Sequence, residues 1–337
     1  MDNARIGYID AMRGTTMVLV VFSHICAYCL GSRHLGFNDI FFLFRLPCFF
    51  FISGWLFYKA GRVWDADTIK AVVKKKFMVQ IVPTFIFLLL LAPPPLFFTR
   101  LGAVKGGYWF TFALFEFFLL YILSIRFWRK GSMAIAVLLS VAAFCYDVLY
   151  NRYFSSMGLL TKALGFLSFM TWRYYLFFFL GTLAKKHFDT FLRWTSHWWV
   201  VGGVVAGFAG IALSSSSGSI PLGYLVFAFG GILGMVMVFC LFRAHASFFS
   251  KEHAIGRCLQ FVGTRTLDIY LLHYFFLPRF LLPWGKQLQA YNSPVLEFAV
   301  ALILALAVTS LCLLASHVIR FSPFLAHYLF GVQRKSN

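Results

Sequence analysis

IDAMRGTTMVLVVFSHICAYCL, residues 9–30, places Asp10, Arg13 and His24 inside an otherwise apolar run. A helix needs about 20 mainly apolar residues to cross a bilayer, and this run has that length. An ionisable group at membrane depth is costly unless it is paired or faces an aqueous cavity. A helix turns about 100° per residue, so the eleven residues from Arg13 to His24 return to within about 20° of the same face, about 17 Å further along. Asp10 lies three residues before Arg13 on a neighbouring position of that face, and Met17 and Val20 lie between. One helix face therefore offers a cation near one end, an imidazole deep inside and an apolar track between them. An interfacial Asp10–Arg13 pair with a packing histidine is the plain alternative, and it leaves the alignment unexplained.

The rest of the chain has the same character. Of 337 residues, 61% are hydrophobic and 12% charged, against about 45–50% and about 25% in soluble domains. A water-soluble surface made from this composition would expose broad hydrocarbon patches. With 44 Phe, the chain is also far from disordered composition. A soluble enzyme is excluded, and an all-α, polytopic membrane bundle remains. The first run has no small-residue cleavage site after it and reads as a retained span.

Ten spans are predicted near 8–30, 37–58, 77–98, 108–127, 132–150, 164–184, 197–213, 221–242, 264–284 and 294–319. Pro93-Pro94-Pro95 is expected to end the third, and the sixth boundary is the least defined. No repeat or soluble appendage interrupts the chain, so residues 1–337 read as a single transmembrane domain.

The charge balance is 30 Lys and Arg against 11 Asp and Glu. Most positives fall in short joints between apolar runs, which argues for membrane orientation and against a nucleic-acid partner. With ten spans, one side carries 20 of them, including Lys59, Arg62, Lys74–Lys76, Arg126, Arg129 and Lys186, and the other carries 8. This bias puts both termini in the cytoplasm. Arg13 and Arg45 stand apart, because they lie within runs. Six of the seven cysteines also lie in apolar runs. Cys26 and Cys29 have CxxC spacing, but no second pair completes a four-ligand zinc site, so no metal is expected.

An Arg, ten residues, then a His, in IDAMRGTTMVLVVFSH, resembles the opening of acyltransferase family 3, the integral membrane acyltransferases that include fucose O-acetylase-like proteins and modify cell-surface glycans. LFRLPCFFFISGWLF (43–57), KKKFMVQIVP (74–83), GYWFTFALFEFFLLY (107–121), YYLFFFLG (174–181) and VGTRTLDIYLLHYFFL (262–277) resemble further family segments in order. The resemblance covers nearly the whole chain. One departure is at the basic joint, where Gln80 stands at a position that often holds an arginine. The resemblance implies O-acyl transfer, most simply of acetyl from acetyl-CoA or another acyl-CoA, to a sugar or lipid-linked glycan. It leaves oligomeric state open, a homo-oligomer included.

Acyl transfer from a thioester to a hydroxyl needs a base, an oxyanion partner and an anchored donor. His24 is the candidate base or nucleophile. Arg45, about eight residues into the second span, matches the depth of His24 and is the candidate oxyanion partner. Glu116, mid-span, is the candidate counter-charge or acceptor ligand. Arg13 and Lys74, Lys75 and Lys76 suit donor phosphates. Asp10, Trp109 and His273 are candidates for substrate contact, and Asp147 reads as interfacial. A transporter with an Arg13/His24/Glu116 relay is the competing reading from the residues alone.

Overall fold

A computed structural model describes residues 6–91, 105–153, 163–164, 167–216 and 223–332. It is built of helices, with no strand among the described residues. Six helices are long and apolar enough to cross a bilayer unbroken, and a seventh crossing arises if one bent pair is counted as a span. The protein is thus a helical membrane bundle. Its chain forms two compact units, Met1–Ile52 with His187–Val318, and Ser53–Lys186 with Ile319–Asn337.

The first unit holds α1 (Gly7–Tyr28) and most of α2 (Asn38–Phe57). After the second unit's segment, the chain continues with α8 (Phe188–Trp194), α9 (Trp198–Ser216), α10 (Gly223–Ala244), α11 (Ala254–Thr264), α12 (Thr266–Phe276), α13 (Leu282–Ala290) and α14 (Pro294–Ile319). α8 and α9 meet at a 78° bend. The central contact is α1 against α11, made by glycines. A Cβ on Gly14 would lie 2.0 Å from the Leu259 carbonyl oxygen, and one on Gly263 would lie 1.9 Å from that of Asp10. Membrane helices gain little from apolar contact alone, so close backbone approach through small residues is how they associate. Phe22 on α1 packs with Phe41 on α2 and Phe298 on α14.

The second unit holds the end of α2, then α3 (Ala66–Lys76), a π-helical turn (Phe77–Ile81) and α4 (Val82–Leu91) in one continuous run. α5 (Trp109–Phe127), α6 (Ser132–Tyr153), a 3-10 turn (Phe169–Tyr174), α7 (Tyr175–Lys186) and the terminal α15 (Pro323–Phe330) complete it. A Cβ on Gly54 would fall 1.9 Å from the Phe178 carbonyl oxygen. The FISGW and YYLFFFLG segments of the sequence are therefore two sides of one helix contact.

The first, second, fourth, fifth, eighth and tenth predicted spans coincide with the six unbroken helices. The others differ in form. The third helix begins at residue 66 rather than 77, because Asp65 caps it by accepting from the Thr68 amide at 2.8 Å. Lys74–Lys76 consequently lie within a helix and not in a joint. The ninth span begins ten residues early, at Ala254, and is broken at Arg265 and again at Pro278. Pro93–Pro95 lie outside the described residues, as do 165–166, and in the predicted sixth span the helix begins only at Tyr175, after the 3-10 turn.

Candidate active site

The C-terminal half of α1 carries His24, and its end is tightly held. Gly285 of α13 sits against Leu30, and Gln289 Nε2 donates to the Leu30 carbonyl at 2.8 Å. Carbonyls at a helix end need such donors. The loop that follows is pinned by Glu297, whose Oε2 accepts from the Gly36 amide at 2.8 Å. These contacts fix where α1 ends and so where His24 points.

His24 meets His273 of α12. Their Nδ1 and Nε2 atoms are 2.7 Å apart, with ring centroids at 4.8 Å and planes 7° apart. Such a short nitrogen separation with nearly parallel planes joins the two rings edge to edge, not face to face. His273 is fully buried. Its Nδ1 lies 2.7 Å from the Tyr270 carbonyl oxygen and 3.2 Å from that of Ile269. A carbonyl can only accept, so His273 carries its proton on Nδ1. With both rings neutral, His273 Nε2 is then an acceptor and His24 donates to it from Nδ1. The remaining lone pair of the pair of rings is on His24 Nε2. The backbone of α12 thus selects the His24 tautomer, the role a carbonyl or carboxylate commonly plays behind a working imidazole.

Aromatic rings and cations surround this pair. Tyr28, one turn beyond His24, and Tyr274 lie 5.7 and 5.2 Å from the His24 ring centroid. Arg33 and Arg45 act on His24 electrostatically, and the Arg279 guanidinium lies 5.9 Å from the Tyr28 centroid. Arg45 is buried, donates to Asn38 Oδ1 at 3.0 Å and lies over Phe42. Asn38 in turn donates to the Arg33 carbonyl at 2.5 Å. Buried Arg45, with Arg33 and Arg279 at the exposed end, gives this pair a basic surround suited to an anion that forms during reaction.

The other residues singled out in the sequence fall into place unevenly. Asp10 is buried on α1, and half-buried Arg13 extends over Phe49 at 5.9 Å. Arg13 is too far along α1 to touch the group that His24 touches. Asp268, in the same motif as His273, accepts from Ser316 Oγ at 2.5 Å and lies 3.5 Å from Arg265. It ties α12 to α14 and supports the helix that presents His273.

Within the second unit, Glu116 Oε2 accepts from Trp172 Nε1 at 2.7 Å. Buried Lys105 lies near Glu116 and over Phe112. Burial lowers the Lys105 pKa, and the Glu116 charge partly opposes this. Trp109 stacks on Tyr174, centroids 5.9 Å apart. Asp147, read as interfacial from sequence, is paired with Arg173 at 2.5 Å. Lys74 and Lys75 are exposed, and Lys76 extends over Phe118 at 4.1 Å. Gln80 is buried in the π-helical turn, and its Oε1 has no hydrogen-bond partner among the described residues.

Tyr28, Asn38, Arg33, Arg279, Trp172 and Lys105 were not selected from sequence. Tyr28 and Asn38 were accessible in principle, since they stand one and two turns from His24 and Arg45 on the same helices. Arg279 and Trp172 come from distant segments, and no local pattern marks Arg33 or Lys105.

Comparison with curated proteins gives no match, and comparison with solved structures gives none. A family model described as an acyltransferase domain, that of acyltransferase family 3, matches residues 6–314. That range runs from the start of α1 into α14 and includes the two helices that bring His24 and His273 together, and on this evidence the chain belongs to acyltransferase family 3.

Proposed function

We propose that this membrane acyltransferase moves an acetyl group from acetyl-CoA, or a related acyl group from its CoA ester, to a hydroxyl of an extracytoplasmic or lipid-linked glycan. It would act in a bacterial cytoplasmic membrane with both termini inside, the donor arriving from the cytoplasm. The observation that carries this reading is the His24–His273 pair, which leaves a lone pair on His24 Nε2 in a basic surround.

In this reading His24 Nε2 takes the proton of the acceptor hydroxyl as its oxygen attacks the thioester carbonyl carbon. Arg45 stabilises the tetrahedral oxyanion, with Arg33 and Arg279 adding positive potential. The C–S bond then breaks, and His24 returns the proton to the departing thiolate. Ester and free thiol are the products, and His24 is regenerated. The Nδ1–H to His273 bond strengthens while His24 is cationic, so His273 is a positioning residue. Glu116 with Trp172 and Trp109 offers a carboxylate and aromatic faces, the usual means of holding a sugar, and is assigned to the acceptor.

Purified protein supplied with labelled acetyl-CoA and a panel of cell-envelope glycans should yield a labelled O-acyl product. His24→Ala should lower turnover by about 10²–10⁴-fold while donor binding persists. Near wild-type turnover by folded His24→Ala protein would remove this mechanism.

A further inference from the structure

At one end of the second unit lies a cavity of about 640 Å³, bordered by the chain after α2, the α5–α6 joint and the end of α7. Five cations line it: Lys59, Arg62, Arg126, Arg129 and Lys186. No carboxylate lines it among the described residues. Trp64 and Tyr121 form an aromatic part of the wall, their ring centroids 6.4 Å apart. The Arg62 guanidinium is held over Trp64 at 5.2 Å, and its partial burial lowers its pKa.

Basic residues at helix C-termini have an ordinary explanation, because each C-terminus carries about half a negative charge. Here α2, α5 and α7 end at the cavity and α6 begins there. By that measure the helix ends leave a net of about one negative charge. Five full positive charges exceed that several times over. Positive-inside anchoring explains cations near the membrane surface, but not their convergence on one concavity with aromatic walls. The volume lies within the range of about 300–1,000 Å³ that encloses a small organic ligand. A single lipid phosphate would engage one or two of these cations and leave the aromatic wall unused.

We infer that this cavity binds a nucleoside bisphosphate, specifically the adenosine 3′,5′-bisphosphate end of the acyl donor. Arg62, Arg126 and Arg129 hold the phosphates, and the base lies against the aromatic wall. The inference rests on the acyl-CoA reading above and shifts the phosphate contacts from where the sequence put them. None of Lys74, Lys75 and Lys76 lines the cavity.

Calorimetry on the full-length, detergent-purified protein tests this with adenosine 3′,5′-bisphosphate and CoA as probes. Both should bind the wild type competitively. Arg62→Ala with Arg129→Ala should raise both Kd values about tenfold or more, since charge-assisted phosphate contacts are lost. The Arg62→Lys, Arg129→Lys protein should stay within a few-fold. Monodisperse double-alanine protein that binds like wild type overturns the inference. If Lys74→Ala with Lys75→Ala loses binding instead, the donor reading survives and the cavity assignment falls. If wild type binds neither probe, the donor reading falls first and takes the assignment with it. Should phosphatidylglycerol in nanodiscs displace the bisphosphate completely at bilayer concentration, the occupant is a lipid phosphate. Photolabelling of wild type with 8-azidoadenosine 3′,5′-bisphosphate covers the case of a misfolded variant. Label within residues 58–64 or 121–132 supports the cavity, and label confined elsewhere refutes it.

Discussion

In the proposed mechanism the chemistry turns on which nitrogen of His24 holds a proton. That assignment follows from the Tyr270 carbonyl, 2.7 Å from His273 Nδ1, through one further hydrogen bond. Replacing His273 therefore tests positioning separately from catalysis. His273→Phe removes the acceptor for His24 Nδ1–H. A neutral hydrogen bond contributes about 1 kcal/mol, so kcat should fall by about five- to tenfold or more with KM for the donor little changed. His273→Gln, which can place an oxygen near the lost Nε2, should recover part of that kcat. Equal losses in both variants would mean His273 only fills space. Arg45→Ala should lower kcat by about 10²–10³-fold if its guanidinium meets the oxyanion, and a change confined to acceptor KM would assign it to binding. The sequence exposed His24 and Arg45 because an ionisable residue in an apolar run needs a reason. It could not reveal the pairing of His24 with His273, because both are legible only as isolated histidines 249 positions apart.

Among the elements, the decisive contacts are those in which glycine lets backbones touch. Gly263 on α11 has the Asp10 carbonyl where a Cβ would sit, whereas Gly203 on α9 has nothing within 4 Å. Gly263→Ala must push α11 from α1 and should destabilise by about 1–3 kcal/mol or more, seen as a lower midpoint of thermal unfolding in detergent. Gly203→Ala should be neutral or stabilise slightly, since alanine favours helix by about 1 kcal/mol. The reverse order would mean α1 and α11 are not held as described. Hydropathy located the unbroken helices because length and apolarity alone define them. It missed the early start of α3 because residues 66–76 are mixed in polarity and belong to a helix whose apolar part follows. The helix before Arg265 was missed for the same reason, since residues 254–264 hold Arg257 and Gln260 and fall short of a span by apolarity alone.

For the whole molecule, the six unbroken helices and the match over residues 6–314 agree on an integral membrane acyltransferase. The proposed orientation rests on the distribution of Lys and Arg. Reporter fusions after Asn337 and within residues 59–76 should both report cytoplasm, and a periplasmic signal at either would reverse the proposed direction of transfer. The family was readable from the chain because its motifs are matched contact surfaces. Residues 9–24 and 262–277 touch through Gly14, Gly263 and the two histidines, and residues 43–57 and 174–181 touch through Gly54. The Glu116–Trp172 contact has no comparable signature, because its two residues come from separate segments.

The fixed direction of the imidazole pair carries a chemical consequence for reagents. Electrophiles that modify histidine ordinarily yield a mixture of two regioisomers, because either ring nitrogen can attack. In this protein Nδ1 of His24 is engaged with its neighbour and only Nε2 is nucleophilic. Diethyl pyrocarbonate or an acyl-phosphonate trap should therefore give a single Nε2 adduct at His24, and His273 should escape labelling in the folded state. The adduct's regiochemistry would record the tautomer directly, with no hydrogen atom ever observed.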